Sequence, residues 1–488
     1  MKIKICFSII VISLFFYSNH SFAQSRRDVW RMGYWQSGPI FQMDFHGGVL
    51  QIDSLNVPHP MSMYIEDAGI CSPQGNLLFY TNGIYIANAT HDTMLNGNDL
   101  NPGQITTSWR DFGLFIFQGA IALPDPADSN QYYLFYSTLN PVTFGADSIL
   151  MAKIDMSLDG GLGAVTNKNV LLSNLGFVAG QFTAVKHANG KDWWLICHGY
   201  NNDNYCTFFI SSSGISGPFT QHIGLPIQYP GQACISSDGS LYSSYENNND
   251  LDILNFDRCS GVFSNYRHIV IPDTSVSLGC AFSPNSQVLY VSSKLYLYQF
   301  NVTANDIYST MDTVAIFDGF GDPNGTSFVM QELAPDNKIY ITGFGSVRHL
   351  SVINYPDSLG LACGVTQHSI SLPGSNNGSL PNYPFYELGA LGGSICDSLP
   401  TSVEPLISKL DQVFIFPNPS TKDLYLRNGS NEITEIKVYN SLGQILTIEG
   451  EVIRDMYLHW DISSLESGIY IMKINTKTET FHRKFVRE

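Results

Sequence analysis

Between Arg27 and Asp397 short aromatic or aliphatic runs alternate with polar turns, a pattern of strands and hairpins rather than of helices. One unit recurs. Ser72-Pro73-Gln74-Gly75-Asn76 precedes Leu77-Leu78-Phe79-Tyr80, Ser236-Ser237-Asp238-Gly239-Ser240 precedes Leu241-Tyr242, Ser283-Pro284-Asn285-Ser286-Gln287 precedes Val288-Leu289-Tyr290-Val291, and Ala334-Pro335-Asp336-Asn337-Lys338 precedes Ile339-Tyr340-Ile341. Looser copies are Leu123-Pro124-Asp125 before Tyr132-Tyr133-Leu134-Phe135 and His187-Ala188-Asn189-Gly190 before Trp193-Trp194-Leu195-Ile196. Aligning Gly190, Gly239, Ser286 and Asn337 gives steps of 49, 47 and 51 residues, the length of one four-stranded propeller blade with its loops. Pro presets φ in such turns, and Asn and Gly tolerate positive φ.

The two ends of the repeat region supply a further blade. Residues 382–388 read as one strand, and 29–33, 41–45 and 49–53 as three more. Pairing them closes the ring and removes open sheet edges. The expected fold is therefore all-β: a β-propeller of seven four-stranded blades over residues 24–396, with six or eight blades as alternatives. Residues 397–411, containing Pro400 and Pro405, read as a linker.

Residues 412–488 have a different rhythm. Runs such as Lys437-Val438-Tyr439 and Tyr470-Ile471-Met472-Lys473-Ile474 are separated by Asn440-Ser441-Leu442-Gly443 and Glu466-Ser467-Gly468, which suggests about seven antiparallel strands in a small immunoglobulin-like β-sandwich. Pro417 and Pro419 cannot donate ladder hydrogen bonds and end the first strand at an edge. The order Phe416-Pro417-Asn418-Pro419, Leu442-Gly443, Asp461-Ile462-Ser463, Gly468-Ile469-Tyr470 and Arg483-Lys484-Phe485 resembles the type A sorting domain of the bacterial type IX secretion system. The resemblance implies that Pro417, Asn418, Pro419, Gly443, Gly468, Tyr470, Lys484 and Phe485 belong to a signal read by the export machinery. It also implies that the domain is then removed or used for anchoring at the cell surface. Segments such as Gly75-Asn76-Leu77-Leu78-Phe79-Tyr80 and Leu333-Ala334-Pro335-Asp336-Asn337-Lys338 resemble secreted propeller proteins of bacteria carrying that system. No activity comes with this second resemblance.

The amino terminus agrees with export. Lys2 and Lys4 precede an apolar stretch over 5–16, and Ser21-Phe22-Ala23 puts small residues where a signal peptidase cuts, so residues 1–23 read as a signal peptide cleaved between Ala23 and Gln24. No other apolar stretch approaches the length of a membrane span, and the mature chain is expected to have no transmembrane segment. The expected location is the periplasm and then, beyond the outer membrane, the cell surface or medium.

Composition narrows the partners. Without the signal peptide 23 basic residues face 42 acidic ones, a net charge of −19. Nucleic acid is not an expected partner, because phosphate binding depends on basic patches. Only 14% of residues are charged while aromatics make up 13%, which suits extensive buried sheet faces.

Eight cysteines follow the signal peptide. Cys197 and Cys206 flank a turn and are candidates for a bridge across one hairpin, and Cys363 and Cys396 are candidates for a bridge that locks the ring. No C-x-x-C pair suggests zinc.

Candidate chemistry is sparse. The chain lacks H-E-x-x-H, G-x-S-x-G, a P-loop and a dinucleotide fingerprint. His198 follows Cys197, but strand neighbours point to opposite faces and cannot form a dyad. Glu66, Glu332 and Glu387 fall in or before inner strands, where paired carboxylates could hydrolyse a glycoside. Asp318, Asp322 and Asn324 offer hard oxygen ligands in one loop, so calcium is the one cofactor the sequence suggests, and residues 247–252 form a second acidic loop. The leading reading is a binding or adhesion module for a glycan or protein, with Trp109, Tyr200 or Tyr229 as stacking residues. A polysaccharide hydrolase or lyase using channel carboxylates is the alternative, and a structural component of the surface layer a third.

Overall fold

A computed structural model describes residues 25–397 except 58–59, 144, 247–249 and 273–278, and residues 413–487 except 417, 429–432, 441–442, 449, 455–456 and 478–479. The proposed signal peptide, with Ala23 and Gln24, Pro417 and most of the linker lie outside these residues.

Seven antiparallel sheets follow one another along the first body. Blade 1 comprises Val29–Met32, Phe41–Asp44 and Gln51–Ser54; blade 2 comprises Ala68–Cys71, Leu77–Thr81 and Ile86–Asn88. Blades 3 to 7 each have four strands and begin with Ala120–Pro124, Thr183–Lys186, Gly231–Ile235, Gly279–Phe282 and Gln331–Leu333. First strands of successive blades touch from blade 1 to blade 3 and from blade 4 to blade 7, which sets them around a common axis. This is the seven-bladed β-propeller that the 47- to 51-residue repeat predicts. Each blade turns its apolar faces to its neighbours, so Trp193, Tyr205, Tyr242, Tyr290 and Tyr340 are fully buried between sheets.

The turns behave as their residue types require. Gly75, Gly190, Gly239, Ser286 and Asn337 occupy equivalent turns after the first strand, all with φ between 62° and 88°. In each, the amide donates to the carbonyl three residues earlier, as Gly239 does to Ser236 (2.8 Å) and Asn337 to Ala334 (3.0 Å).

The closing blade differs from the expectation. Residues 382–388 form no strand, and blade 1 has three strands. Instead the chain after Val365–Asn376 runs along the axis, buried without a break from 374 to 384. Its polar groups are satisfied by side chains rather than by a ladder. Asn382 Nδ2 donates to the carbonyls of Ala120 (2.9 Å) and Phe182 (3.0 Å), its amide donates to Asp67, and the hydroxyls of Tyr383 and Tyr386 donate to Val29 (2.8 Å) and Ala122 (2.7 Å). Aromatic side chains and Pro384 favour a plug over an edge strand here.

The second body has two four-stranded sheets: Val413–Phe416, Asp423–Asn428, Tyr457–Asp461 and Gly450–Arg454 in one, and Ile445–Leu446, Ile433–Asn440, Gly468–Thr476 and Thr480–Arg487 in the other. Leu424, Leu426, Val438, Trp460, Met472, Ile474 and Phe485 form the core between them. The eighth strand beyond the seven expected is the two-residue Ile445–Leu446. Among the described residues no helix is long and apolar enough to cross a membrane.

Candidate functional site

The axial plug divides the propeller into an upper face, where the plug enters, and a lower face, where it leaves. In blades 2 to 7 the hairpins between second and third strands, and the connections from blade to blade, emerge on the upper face, where in three-stranded blade 1 the connection over 33–40 also lies. Five chain segments meet there. Tyr34 packs edge-on against Tyr64 (5.1 Å), and Tyr64 meets Trp109 (6.1 Å, stacked), Phe112 (5.8 Å) and Phe115. Trp109 lies 5.4 Å from Phe115, and Phe115 continues to Phe117. Phe117 and Phe344 flank Gly378 at the point where the plug enters. Asn377 ties the segments together by accepting from the amides of Gly345 (2.8 Å) and Ser346 (3.2 Å). Trp109, Phe112 and Phe115 are half-buried, and Trp35 (51%) and Phe344 (45%) are exposed at the rim. The result is a continuous aromatic surface around a closed axis.

Of the three aromatics singled out in the sequence, Trp109 belongs to this surface. Tyr229 is 41% exposed in the connection between blades 4 and 5, and Tyr200 donates to the Thr143 carbonyl (3.1 Å). The connection over 88–119, which carries the five-residue helix Gln104–Ser108, supplies most of the aromatic surface. Its length and its run Trp109, Phe112, Phe115, Phe117 were the available signal.

Below the surface a belt of glutamines joins the inner strands. Gln118 donates to the Ala233 carbonyl (3.0 Å) and accepts from its amide (2.8 Å); Gln232 accepts from the amides of Cys280 (3.1 Å) and Gln331 (3.0 Å); Gln331 donates to Ser292 Oγ (2.7 Å). Sequence reasoning missed this belt, although Gln118-Gly119-Ala120, Gly180-Gln181, Gly231-Gln232-Ala233 and Met330-Gln331 repeat one residue at one place.

The candidate carboxylates do not form an exposed pair. Glu66 is buried against Gly119, whose missing Cβ leaves room for Oε2, and burial holds its acid well above the usual carboxylate range. Asp67, also buried, takes a bond from Ser379 Oγ (3.1 Å), and burial raises it too. Glu332 lines a small axial cavity of about 30 Å³, and burial pushes it up to about 8 against the pull of Arg27. Glu387 lies at the lower end of the plug, ion-paired with Arg27 (2.7 Å). The charge acting on Glu66 is that of Asp67, and the charge acting on Glu332 is that of Arg27, so neither glutamate is positioned by the other.

In the loop proposed for calcium both aspartates face histidines. Asp318 Oδ2 meets His368 Nε2 (3.0 Å), Asp322 Oδ2 lies 3.7 Å from His349 Nδ1, and Asn324 donates to the Gly345 carbonyl. Phe320 stacks on His368 at 4.0 Å between the two pairs. In the second acidic loop Asp252 accepts from Tyr266 (2.7 Å) and pairs with His268 (2.9 Å). Among the described residues one group of three ligand types converges, His187, Cys259 and Cys396. Two of these are joined in a disulfide.

That disulfide corrects the sequence reading. Cys396 pairs with Cys259 on the lower face, 137 residues away, and not with Cys363, which is buried in blade 7 among Tyr290 and Val365. The plug exits beside blade 5 and so brings Cys396 to the Asp257–Gly261 turn. Cys197 and Cys206 do stand opposite each other in register, but they are free thiols, with Cys197 Sγ directed at the Cys206 carbonyl (3.6 Å). His198 is a buried histidine bonded to the Gly199 carbonyl (2.8 Å), and burial lowers it to about 4.

In the sandwich Asn418 clips the first strand to the last, donating to the Lys484 carbonyl (2.9 Å) and accepting from the Val486 amide (2.8 Å). Pro419 follows a cis peptide, and Gly443 has φ +77° in a turn. Gly468 opens a strand, Tyr470 donates to the Glu466 carbonyl (2.6 Å) and stacks on buried Phe485 (5.3 Å), and Lys484 pairs with Ile471.

These features define a seven-bladed propeller followed by a small β-sandwich. Residues 414–488 match the secretion system C-terminal sorting domain, so the chain carries the type IX sorting tail and is marked for export across the outer membrane. No curated protein matches the chain. Among solved structures it is similar to a protein from Lactobacillus plantarum (13% identity, 73% of this chain and 98% of that one, TM-score 0.45). A putative 6-phosphogluconolactonase from Bacteroides fragilis (12%, 73% and 98%, TM-score 0.42) and the β-propeller domain of Cps50 (Swd1) from Myceliophteria thermophila (9%, 65% and 93%, TM-score 0.37) are also similar. Nothing those proteins bind or act on is carried over at such identities.

Proposed function

We propose that this is an exported recognition module that binds a carbohydrate on the upper face of its propeller, with residues 397–411 tethering it to a sorting domain over 412–488. The observation that supports the reading is the aromatic surface of Tyr64, Trp109, Phe112 and Phe115, rimmed by Trp35 and Phe344. Half-buried rings held by one another present an apolar surface at little entropic cost, on which a sugar ring can pack. The plugged axis favours binding over hydrolysis, because Glu66 is buried, Glu332 lines the small axial cavity behind the plug and Glu387 is ion-paired with Arg27. Surface attachment or release after export, and protein as the alternative ligand, belong to the same proposal.

The test incubates the chain, produced without residues 1–23, with a panel of insoluble and immobilised polysaccharides, scoring retention and released reducing ends together. Retention without release is expected, and W109A should weaken it about tenfold, the value of a lost stacking contact. Release of reducing ends that survives in W109A and disappears in E332Q would replace the binding reading with the hydrolytic one.

A further inference from the structure

The first strands of blades 5 and 6 place two cysteines side by side. Cys234 Sγ lies 3.5 Å from Cys280 Sγ, and the two residues, 46 apart in sequence, face the same axial cavity. Cys280 is held from behind. Cys280 donates its thiol to the Gln232 carbonyl (3.3 Å) and its amide to Gln232 Oε1 (3.1 Å), so the glutamine belt fixes the sulfur's position. The distance between these sulfurs is within ~1.5 Å of a disulfide bond, and the backbones belong to rigid strands already in contact. The plug lines the same cavity with Asn382, Tyr383, Pro384 and Phe385.

We propose that Cys234 and Cys280 are a second disulfide site, oxidised during export to staple blade 5 to blade 6, and that the bond forms before the plug seats. The oxidant is a disulfide-bearing thiol oxidoreductase of the compartment that the chain crosses. Cys234, the more accessible of the two, attacks one sulfur of that disulfide as its thiolate and releases the other as a thiolate, giving a mixed disulfide. The Cys280 thiolate then attacks the Cys234 sulfur, forms the Sγ–Sγ bond and expels the oxidant as a dithiol. Two electrons and two protons pass to the oxidant in all. Glu332, in the next inner strand, faces the same cavity, and the thiol protons leave to solvent while the site is open. Once the plug is in, a protein-sized oxidant has no path to a cavity of about 30 Å³.

The test recovers the full chain after export from a host with the secretion system, denatures it in iodoacetamide without reductant, digests it and reads peptide masses. The expected result is a linked pair of peptides containing Cys234 and Cys280, with label on Cys71, Cys197, Cys206 and Cys363. Label on both Cys234 and Cys280 overturns the proposal. In C280S, Cys234 should become labelled while the Cys259–Cys396 link persists; a Cys234 that stays unlabelled in C280S has another partner and overturns it equally. A final arm refolds the chain under reducing conditions, removes the reductant and only then adds oxidised thioredoxin. The Cys234–Cys280 pair should not appear, and its rapid closure would overturn the order of events.

Discussion

Glu332, lining the axial cavity, gives the propeller a pH signature that one substitution isolates. The folded-state pKa of Glu332 is raised to about 8 by burial, so between its ordinary value and about pH 8 the folded chain keeps a proton that the unfolded chain has released. The contribution is therefore absent below about pH 4.5 and becomes a growing loss of stability as pH rises toward 8. E332Q keeps the shape and removes the charge. It should be more stable than the native chain at pH 8.5 by a few kcal/mol in order of magnitude and nearly unchanged at pH 4.5, read from thermal unfolding at the two values. An identical pH slope in both proteins would mean that Glu332 is solvated. His198 acts at the other end: lowered to about 4 by burial, it stays neutral when folded, and stability is lost as pH falls through 6.5 toward 4. Placement of these residues in inner or second strands was legible in the sequence. Their isolation from one another was not, because separation between carboxylates depends on which blades they occupy and at what depth.

The plug is the element that sequence periodicity misread. Residues 382–388 carry aromatics at strand-like spacing, and ring closure called for one more strand, yet Pro384 and the satisfied side-chain hydroxyls turn the segment into an axial rod. Its contribution divides by group. Y386F removes one hydrogen bond, to the Ala122 carbonyl, and should cost about 1 kcal/mol, whereas Y386A also empties a fully buried ring site packed on Trp193 and should cost about 3–5 kcal/mol in urea unfolding. Equal losses in the two variants would show that the hydroxyl alone anchors the plug. The hairpin turns, by contrast, were readable residue by residue. Gly190, Gly239, Ser286 and Asn337 were aligned through the recurring turn before an aromatic strand, and all four have the positive φ that such turns need.

For the whole molecule, repeat length, small-residue turns and aromatic content sufficed to establish a propeller, and the motif order near the C-terminus sufficed for the sorting domain. The aromatic face was only partly legible. Trp109 stood out as a large ring in a loop, but its partners Tyr34, Tyr64 and Phe344 come from segments up to 310 residues apart, and no local pattern announces such a meeting. Deleting residues 412–488 should abolish appearance of the chain outside the cell while leaving a propeller that retains glycan binding in extracts, measured by fractionation and by the retention assay. C396S frees the loop closed through Cys259 and should lower stability by roughly 2–4 kcal/mol in non-reducing buffer and by nothing in reducing buffer.

The position of Cys396 has a mechanical consequence. Its bond leads sideways from the lower end of the plug into the Asp257–Gly261 turn of blade 5. Tension applied to the C-terminal tail by a secretion motor, or by drag on an anchored cell, therefore passes into a four-stranded sheet and spreads across its hydrogen bonds. Without that bond the same pull would run straight up the axis and draw the rod out like a cork, loosening every blade at once.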